Sequence, residues 1–410
     1  MKIKFSNILP YTILLISISS ILQWCSLPIG NTVVWWLLQS IILFLFFKLS
    51  PKKYTVSPIK LFLIYVGISA IYGAIFMTEN YWDWKLLVSN LMIFSLPISA
   101  YVYARPSIFT KTLRVWLKYA WIILLCLMPF LASDAYGRFL VPFTFLALFL
   151  PFLNKKYLCL TLIAYIITMT LGEESRSDML KFSVTILLGI FIWITWLRKY
   201  IPIITKILFI FFFLAPPIFF TLGATEIFNI FKIEEEFGLD KDKYIRESRT
   251  SGTEYSILGD TRTFLYAEEI SSALQHNYVL QGRSIARGYD SISFGEGIDK
   301  ALGIKRGERQ SCETSILNIF NYFGIIGVIL YLFIFFMAAY KAIFKSKNQY
   351  IPIIGIYVAF RWLFAWIEDF SRFDLNYLFL WIMIGICYSP IFRSMNNQEF
   401  KSWFKTLIYK

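Results

Sequence analysis

The sequence predicts an all-helical, polytopic membrane protein with about twelve transmembrane helices and one large loop on the outer side. Three observations predict it. Only 16% of the 410 residues are charged while 58% are hydrophobic, at a mean hydropathy of +0.61. A soluble domain carries roughly 25% charged residues, so a chain this poor in charge is solvated by lipid. The apolar residues also fall in long runs, and the charged clusters between them alternate in sign.

A spanning helix needs roughly 20 apolar residues, or about 17 at the short end. Twelve runs fit or approach this: 8–27, 32–49, 59–77, 86–104, 115–132, 139–153, 157–171, 179–197, 201–222, 315–340, 351–367 and 376–392. The sixth and seventh are short and divide at Asn154-Lys155-Lys156. The first follows Met1-Lys2-Ile3-Lys4, lacks a small-x-small cleavage site and has Trp24 before Cys25, so it is expected to be a retained helix. Cys25, Cys126, Cys159 and Cys387 lie in or beside apolar runs and Cys312 stands alone near the loop, which implies no disulfide framework.

Charge asymmetry supplies a topology. With the amino terminus in the cytoplasm, the inner segments hold 22 basic residues and one acid, Glu399. The short outer loops instead carry Glu79, Asp83, Asp134, Glu173, Glu174, Asp178, Glu368, Asp369 and Asp374. Every loop obeys the positive-inside alternation with both termini inside. The net charge of +14 then reflects orientation and anionic lipid rather than nucleic acid. The predicted organisation is transmembrane helices 1–9 in residues 1–223, the outer loop in 224–314, helices 10–12 in 315–392, and a basic cytoplasmic tail in 393–410.

The loop, with 12 basic and 16 acidic residues, is the long hydrophilic segment, and a connection of this length is usually functional. Its early part, with Glu234-Glu235-Glu236 and Asp240-Lys241-Asp242-Lys243, reads as a solvated surface. Asp260-Thr261-Arg262-Thr263 then opens a predicted helix to Gln275, with Asp260 as N-cap and Phe264, Ala267, Ile270 and Leu274 on one apolar face. Beyond it, Gly282, Gly288, Gly295, Gly297, Gly303 and Gly307 predict an irregular stretch before the chain re-enters the membrane at Ser315.

Four outer arginines stand at predicted helix entrances: Arg138, Arg176, Arg262 and Arg372. Helix N-termini disfavour cations and welcome anions, so this recurrence suggests a shared anion, with bidentate geometry favouring a phosphate. The alternative is local pairing: Arg138 with Asp134, Arg176 with Asp178 or Glu174, Arg372 with Asp369 or Asp374. Glu313, at the entrance of the tenth helix, is a candidate carboxylate base or simply a first-turn acid. Arg361 lies about ten residues into the eleventh helix, roughly 15 Å deep at ~1.5 Å per residue, either functional, paired or snorkelling. Trp35, Trp36, Trp82, Trp84, Trp362 and Trp366 read as interfacial belt residues, the outer ones also able to stack on sugars.

His276 is the sole histidine of the sequence, which offers a transition metal no Cys/His cluster. No P-loop, dinucleotide glycine pattern or serine elbow occurs, so nothing points to ATP as energy source.

These segments resemble the O-antigen ligase/polymerase superfamily over residues 130–390. Gly172-Glu-Glu-Ser175-Arg176-Ser177-Asp178, opening a helix, resembles the family's Ser/Thr-Arg element. Gly259-Asp260-Thr261-Arg262 with Tyr266 resembles its loop arginine motif. The run from Glu313 to Gly324-Ile-Ile-Gly327 resembles its loop exit. Ser133–Arg138 before a proline-containing helix and Trp366–Arg372 resemble its upstream arginine element and last outer loop.

The resemblance implies a GT-C-type integral-membrane glycosyltransferase in the bacterial inner membrane, acting on undecaprenyl-diphosphate-linked oligosaccharides at the periplasmic face. It implies inversion at the anomeric carbon without a metal or other cofactor, fixed arginines stabilising the leaving group. Arg176 and Arg262 would hold the diphosphate, Arg138 would support them, and Arg372, Asp260, Asp369 and Tyr266 would complete the substrate site. Ligases of the family carry a histidine at the loop exit, whereas this chain has Ser311-Cys312-Glu313. That departure favours a polymerase of O-antigen or capsular repeat units, with Glu313 as base and with a flippase and chain-length regulators as partners. A ligase acting on lipid A-core or protein is the alternative within the family. A lipid-linked oligosaccharide flippase is the alternative of another class.

Overall fold

The computed structural model describes residues 5–22, 25, 32–51, 57–172, 175–232, 245–247, 254–256 and 262–408. The main helices are α1 (Phe5–Leu22), α2 (Thr32–Leu49), α3 (Pro58–Tyr72), α4 (Tyr81–Ser95), α5 (Pro106–Leu127), α6 (Ser133–Leu140), α7 (Lys155–Thr170), α8 (Arg176–Trp193), α9 (Ile201–Ala224), α10 (Arg262–Gln275), α11 (Gly295–Leu302), α12 (Ser315–Phe344), α13 (Ile351–Phe364), α14 (Leu375–Tyr388) and α15 (Asn397–Ile408). Among the described residues, six helical stretches are long and apolar enough to cross a bilayer, and three shorter apolar helices accompany them. The protein is a helical membrane protein.

Its core is built on α12, α13 and α14, which pack against one another and, through α12, against α3. Residues Leu375 to Cys387 of α14 are all buried, which explains why its sequence is apolar on every side. Peripheral helices keep one apolar face outward. On α2 these are Val33, Leu37, Ile41, Phe44 and Phe47, and on α9 Ile203, Ile207, Ile210 and Leu214. Such rows face lipid.

Three elements differ from the sequence expectation. The run 139–153 is not one helix: α6 ends at Leu140, a short helix covers Pro142–Ala147, and a 3-10 turn covers Leu150–Phe152. Pro142 and Pro151 each start a new piece because proline cannot continue the preceding one. The segment 393–410 is not a plain tail. Its helix α15 is amphipathic and buries Phe400, Phe404, Leu407 and Ile408, with the Phe400 ring 5.2 Å from that of Phe149 and 5.1 Å from that of Tyr350.

The third difference is a break in α12 at Gly324, whose φ of 63° and ψ of −165° are non-helical. The loop fills the break. Ile325 N–H donates to the Val279 carbonyl (2.9 Å), Ile326 N–H to Leu280 (3.2 Å), and Arg283 N–H to Asn321 (2.6 Å). The loop therefore enters the bundle rather than only capping it. Asn90 Nδ2 on α4 donates to the Ile285 carbonyl (2.9 Å), Ser284 Oγ to Ser69 on α3 (3.2 Å), and Arg306 pairs with Asp83 (2.6 Å) and Glu79. Two small antiparallel pairs, β1 (Ile245–Glu247) with β2 (Glu254–Ser256) and β3 (Tyr289–Asp290) with β4 (Glu308–Arg309), complete the described part of the loop.

Candidate active site

The segments carrying the candidate residues meet at the end of the bundle that bears the loop. Helix α6 lies so close to α8 that a Cβ on Gly137 would sit 2.3 Å from the Asp178 side chain. The first N–H groups of α12 are taken by the chain after α13: Ser315 N–H donates to the Glu368 carbonyl (3.1 Å) and Ile316 N–H to Ala365 (3.0 Å). Tyr266 on α10 donates its hydroxyl to the Trp366 carbonyl (2.8 Å). Residues 365–374 are thus the hub that α6, α8, α10 and α12 share.

A buried ion-pair cluster occupies this hub. Lys181 on α8 is 1% exposed and pairs with Asp178 (2.5 Å) and with Glu368 (3.2 Å). Ser177 Oγ donates to Glu368 Oε1 (2.7 Å) and Ser175 Oγ to Asp178 (2.9 Å). Arg138 pairs with Asp374 at 3.6 Å, both side chains buried. Asp374 also N-caps α14 by accepting from Tyr377 N–H (2.8 Å). Charges withdrawn from water persist only when paired, and each charge of this cluster has an opposite charge within ion-pair distance.

The structure locates the predicted residues as follows. Arg176 is the exposed first residue of α8, flanked by the two serines of the cluster. Arg262 opens α10, one turn before Tyr266. Arg372 reaches Asp369 at 3.8 Å and stays partly exposed, while Asp369 is buried and accepts from Ser371 N–H (2.8 Å) and Ser315 Oγ (3.3 Å). Asp260 lies outside the described residues.

Several expectations are corrected. Arg138 lies in the last turn of α6, where the helix dipole favours a cation, so it is no helix-entrance arginine. It pairs with Asp374, remote in sequence, and the Asp134 side chain lies outside the described residues. Asp178 pairs with Lys181. Glu313 is turned outward and half exposed, pairing with Arg309 at 3.0 Å, while the α12 N-terminus it was expected to flank is satisfied by backbone carbonyls. Arg361 lies in the last turn of α13, at the hub end, where it donates to Asn376 (3.2 Å) and sits 4.4 Å from the Phe370 ring centre. Trp362 is 2% exposed and belongs to the core, not to an interfacial belt.

Beside the hub, an apolar cavity of about 320 Å³ opens between α9, α10 and the end of α13. Phe219, Phe220, Ala267, Ile270, Leu363 and Trp366 form its apolar wall, and Thr263 and Tyr266 add polar atoms.

Sequence reasoning missed Lys181, Glu368 and Glu269 as site groups. Lys181 was legible in principle, being a cation one turn inside an apolar run. Glu269 was not. The apolar pattern of α10 puts Leu274 inward, yet Leu274 is 63% exposed and the buried face carries Leu265, Glu269, Ser272 and Ala273.

Comparison of the chain with protein-family models, with curated proteins and with solved structures finds no match.

Proposed function

We propose that this protein is a GT-C-type membrane glycosyltransferase that polymerises undecaprenyl-diphosphate-linked repeat units at the outer face of the bacterial inner membrane. The chain crosses the membrane twelve times in this reading, with both termini in the cytoplasm. The observation that carries it is the convergence of arginine-bearing segments on residues 365–374 beside an apolar cavity. A polyprenyl diphosphate has matching parts: an apolar chain for the cavity and a dianionic head for guanidinium groups. Arg176 and Arg262 hold the diphosphate, and the Lys181 cluster fixes the α8 entrance that presents Arg176. The acceptor hydroxyl attacks the anomeric carbon with inversion, and the electron pair of the breaking bond leaves on the diphosphate.

The loop exit, with Cys312-Glu313 and no histidine, supports polymerase over ligase. A transporter is the second reading, favoured by the broken helix α12. Against it, the loop occupies the break with its own backbone.

Glycan analysis of a deletion strain tests these readings together. Loss of a polymerase leaves single repeats on the surface acceptor, loss of a ligase leaves polymer on the carrier lipid, and loss of a flippase leaves neither outside. Single repeats are expected; either other pattern overturns the proposal.

A further inference from the structure

Helix α10 buries a carboxyl group for which its own sequence pattern gives no reason. Glu269 is 0% exposed, and neither of its oxygens has a hydrogen bond of normal geometry. It shares one face of the helix with Arg262 and Tyr266, at the i, i+4, i+7 spacing that stacks side chains in a row. Buried polar atoms are nearly always well hydrogen-bonded, so a carboxyl with only the Asn321 N–H and Arg309 nearby calls for a purpose. It is not alone. Nη1 of Arg309 and Oδ1 of Asn321, on groups that approach it, are also buried without partners.

Among the described residues, the groups of other segments that interact with Glu269 are the Arg309 guanidinium from β4, Tyr289 from β3, Cys312 at the loop exit, Tyr278 after α10, and Asn321 and Tyr322 from α12. Arg309 is the one cation among them. It pairs outward with the half-exposed Glu313 and lies 4.2 Å from the Phe294 ring centre. One arginine therefore interacts with two carboxyl groups, one dry and one wet.

We propose that Glu269, not Glu313, is the carboxylate that takes the proton from the acceptor hydroxyl, an inference that rests on the polymerase reading above. A general base works better when its pKa is raised above the ordinary carboxylate range, and burial acts in that direction. Burial holds the Glu269 carboxyl well above the usual range, the Asn321 N–H and Arg309 offsetting only part of that effect. Burial also pushes the Cys312 thiol up to about 12, so the thiol does not compete for the proton. In each turnover, ionised Glu269 removes the hydroxyl proton as the new glycosidic bond forms. The bond from the anomeric carbon to the diphosphate breaks with its electron pair, and Glu269 later returns the proton to water. Acceptor entry requires Arg309 to give way, and its unused Nη1 then has a sugar oxygen to bind.

The test uses the purified full chain with a lipid-linked repeat unit, measuring polymer formation from mildly acidic to alkaline pH. Glu269→Gln keeps the shape of the side chain and removes only its ionisation. It is expected to lower kcat by roughly a hundredfold or more, leave KM within a few-fold and abolish the rise of rate with pH. Glu313→Gln is expected to keep the pH rise. Wild-type kcat and an unchanged pH profile in Glu269→Gln overturn the inference while leaving the polymerase reading intact. Wild-type protein that makes no polymer overturns the polymerase reading itself. A second measurement needs no variant: dicyclohexylcarbodiimide, which labels protonated buried carboxyls, is expected to modify Glu269, and the lipid-linked repeat to block it. Absence of labelling, or labelling that the repeat does not affect, also overturns the inference.

Discussion

Lys181 on α8 reaches Glu368, 187 residues further along the chain, at 3.2 Å, and both side chains are buried. The contact joins the helix that carries Arg176 to the segment that receives Tyr266 and the α12 N-terminus. Breaking such a pair from one side leaves a buried charge, whereas removing the charged groups together does not.

Lys181→Met is therefore expected to destabilise the protein by about 3–5 kcal/mol, and adding Asp178→Asn and Glu368→Gln is expected to recover much of the loss. Thermal unfolding followed with a thiol-reactive dye reports it, since Cys312 and Cys387 are free and buried. A single variant as stable as the triple one would show that the cluster is not a unit.

The arginines make a separate prediction. Arg176→Ala and Arg262→Ala should each reduce polymer formation by roughly a hundredfold, about 3 kcal/mol of transition-state stabilisation. Lysine should rescue poorly because it cannot form the bidentate fork. Wild-type activity should survive EDTA. Near-normal polymer from both alanine variants would remove the diphosphate role.

Glu269 also predicts how stability responds to pH. Its folded-state carboxyl is held above the ordinary range by burial, so the folded state binds the proton more tightly than the unfolded one. The associated stability is complete below the usual glutamate range and is lost as pH rises through the raised value. Melting temperature should fall over that window, and Glu269→Gln should flatten the slope. An identical slope in the two proteins sinks the assignment.

Gly324 has a backbone conformation that L side chains avoid, and a Cβ there would lie 2.3 Å from the Leu280 carbonyl oxygen. Gly324→Ala should cost more than about 2 kcal/mol and loosen the loop from the bundle. Faster protease cleavage within 278–287 measures the loosening. Unchanged cleavage would mean that the loop is held by the α4 contacts alone.

The apolar cavity gives a kinetic signature. Ala267→Trp fills its α10 wall and should raise KM for the lipid-linked substrate several-fold while changing kcat little. A fall in kcat alone would place the lipid chain elsewhere.

The solvent and the class of elements were legible in the amino-acid sequence. Apolar runs as long as those of α2, α9 and α12 satisfy their backbone polar groups in lipid only as helices, so composition and run length suffice. The sequence also marked Arg176, Arg262 and the 366–372 segment, because polar residues beside apolar runs stand out. Tertiary structure decided what those residues touch. Arg138 changed its role because Pro142 ends α6 after only eight residues and leaves the arginine in the last turn. Glu269 was invisible because hydrophobic periodicity gives the inward face of a helix only when the surroundings are uniformly apolar. Around α10 they are not: a cavity takes the side of Ala267 and Ile270, while Tyr289, Arg309 and Cys312 pack on the side of Glu269. Which face is buried is then set by the neighbours, and these neighbours come from distant parts of the chain.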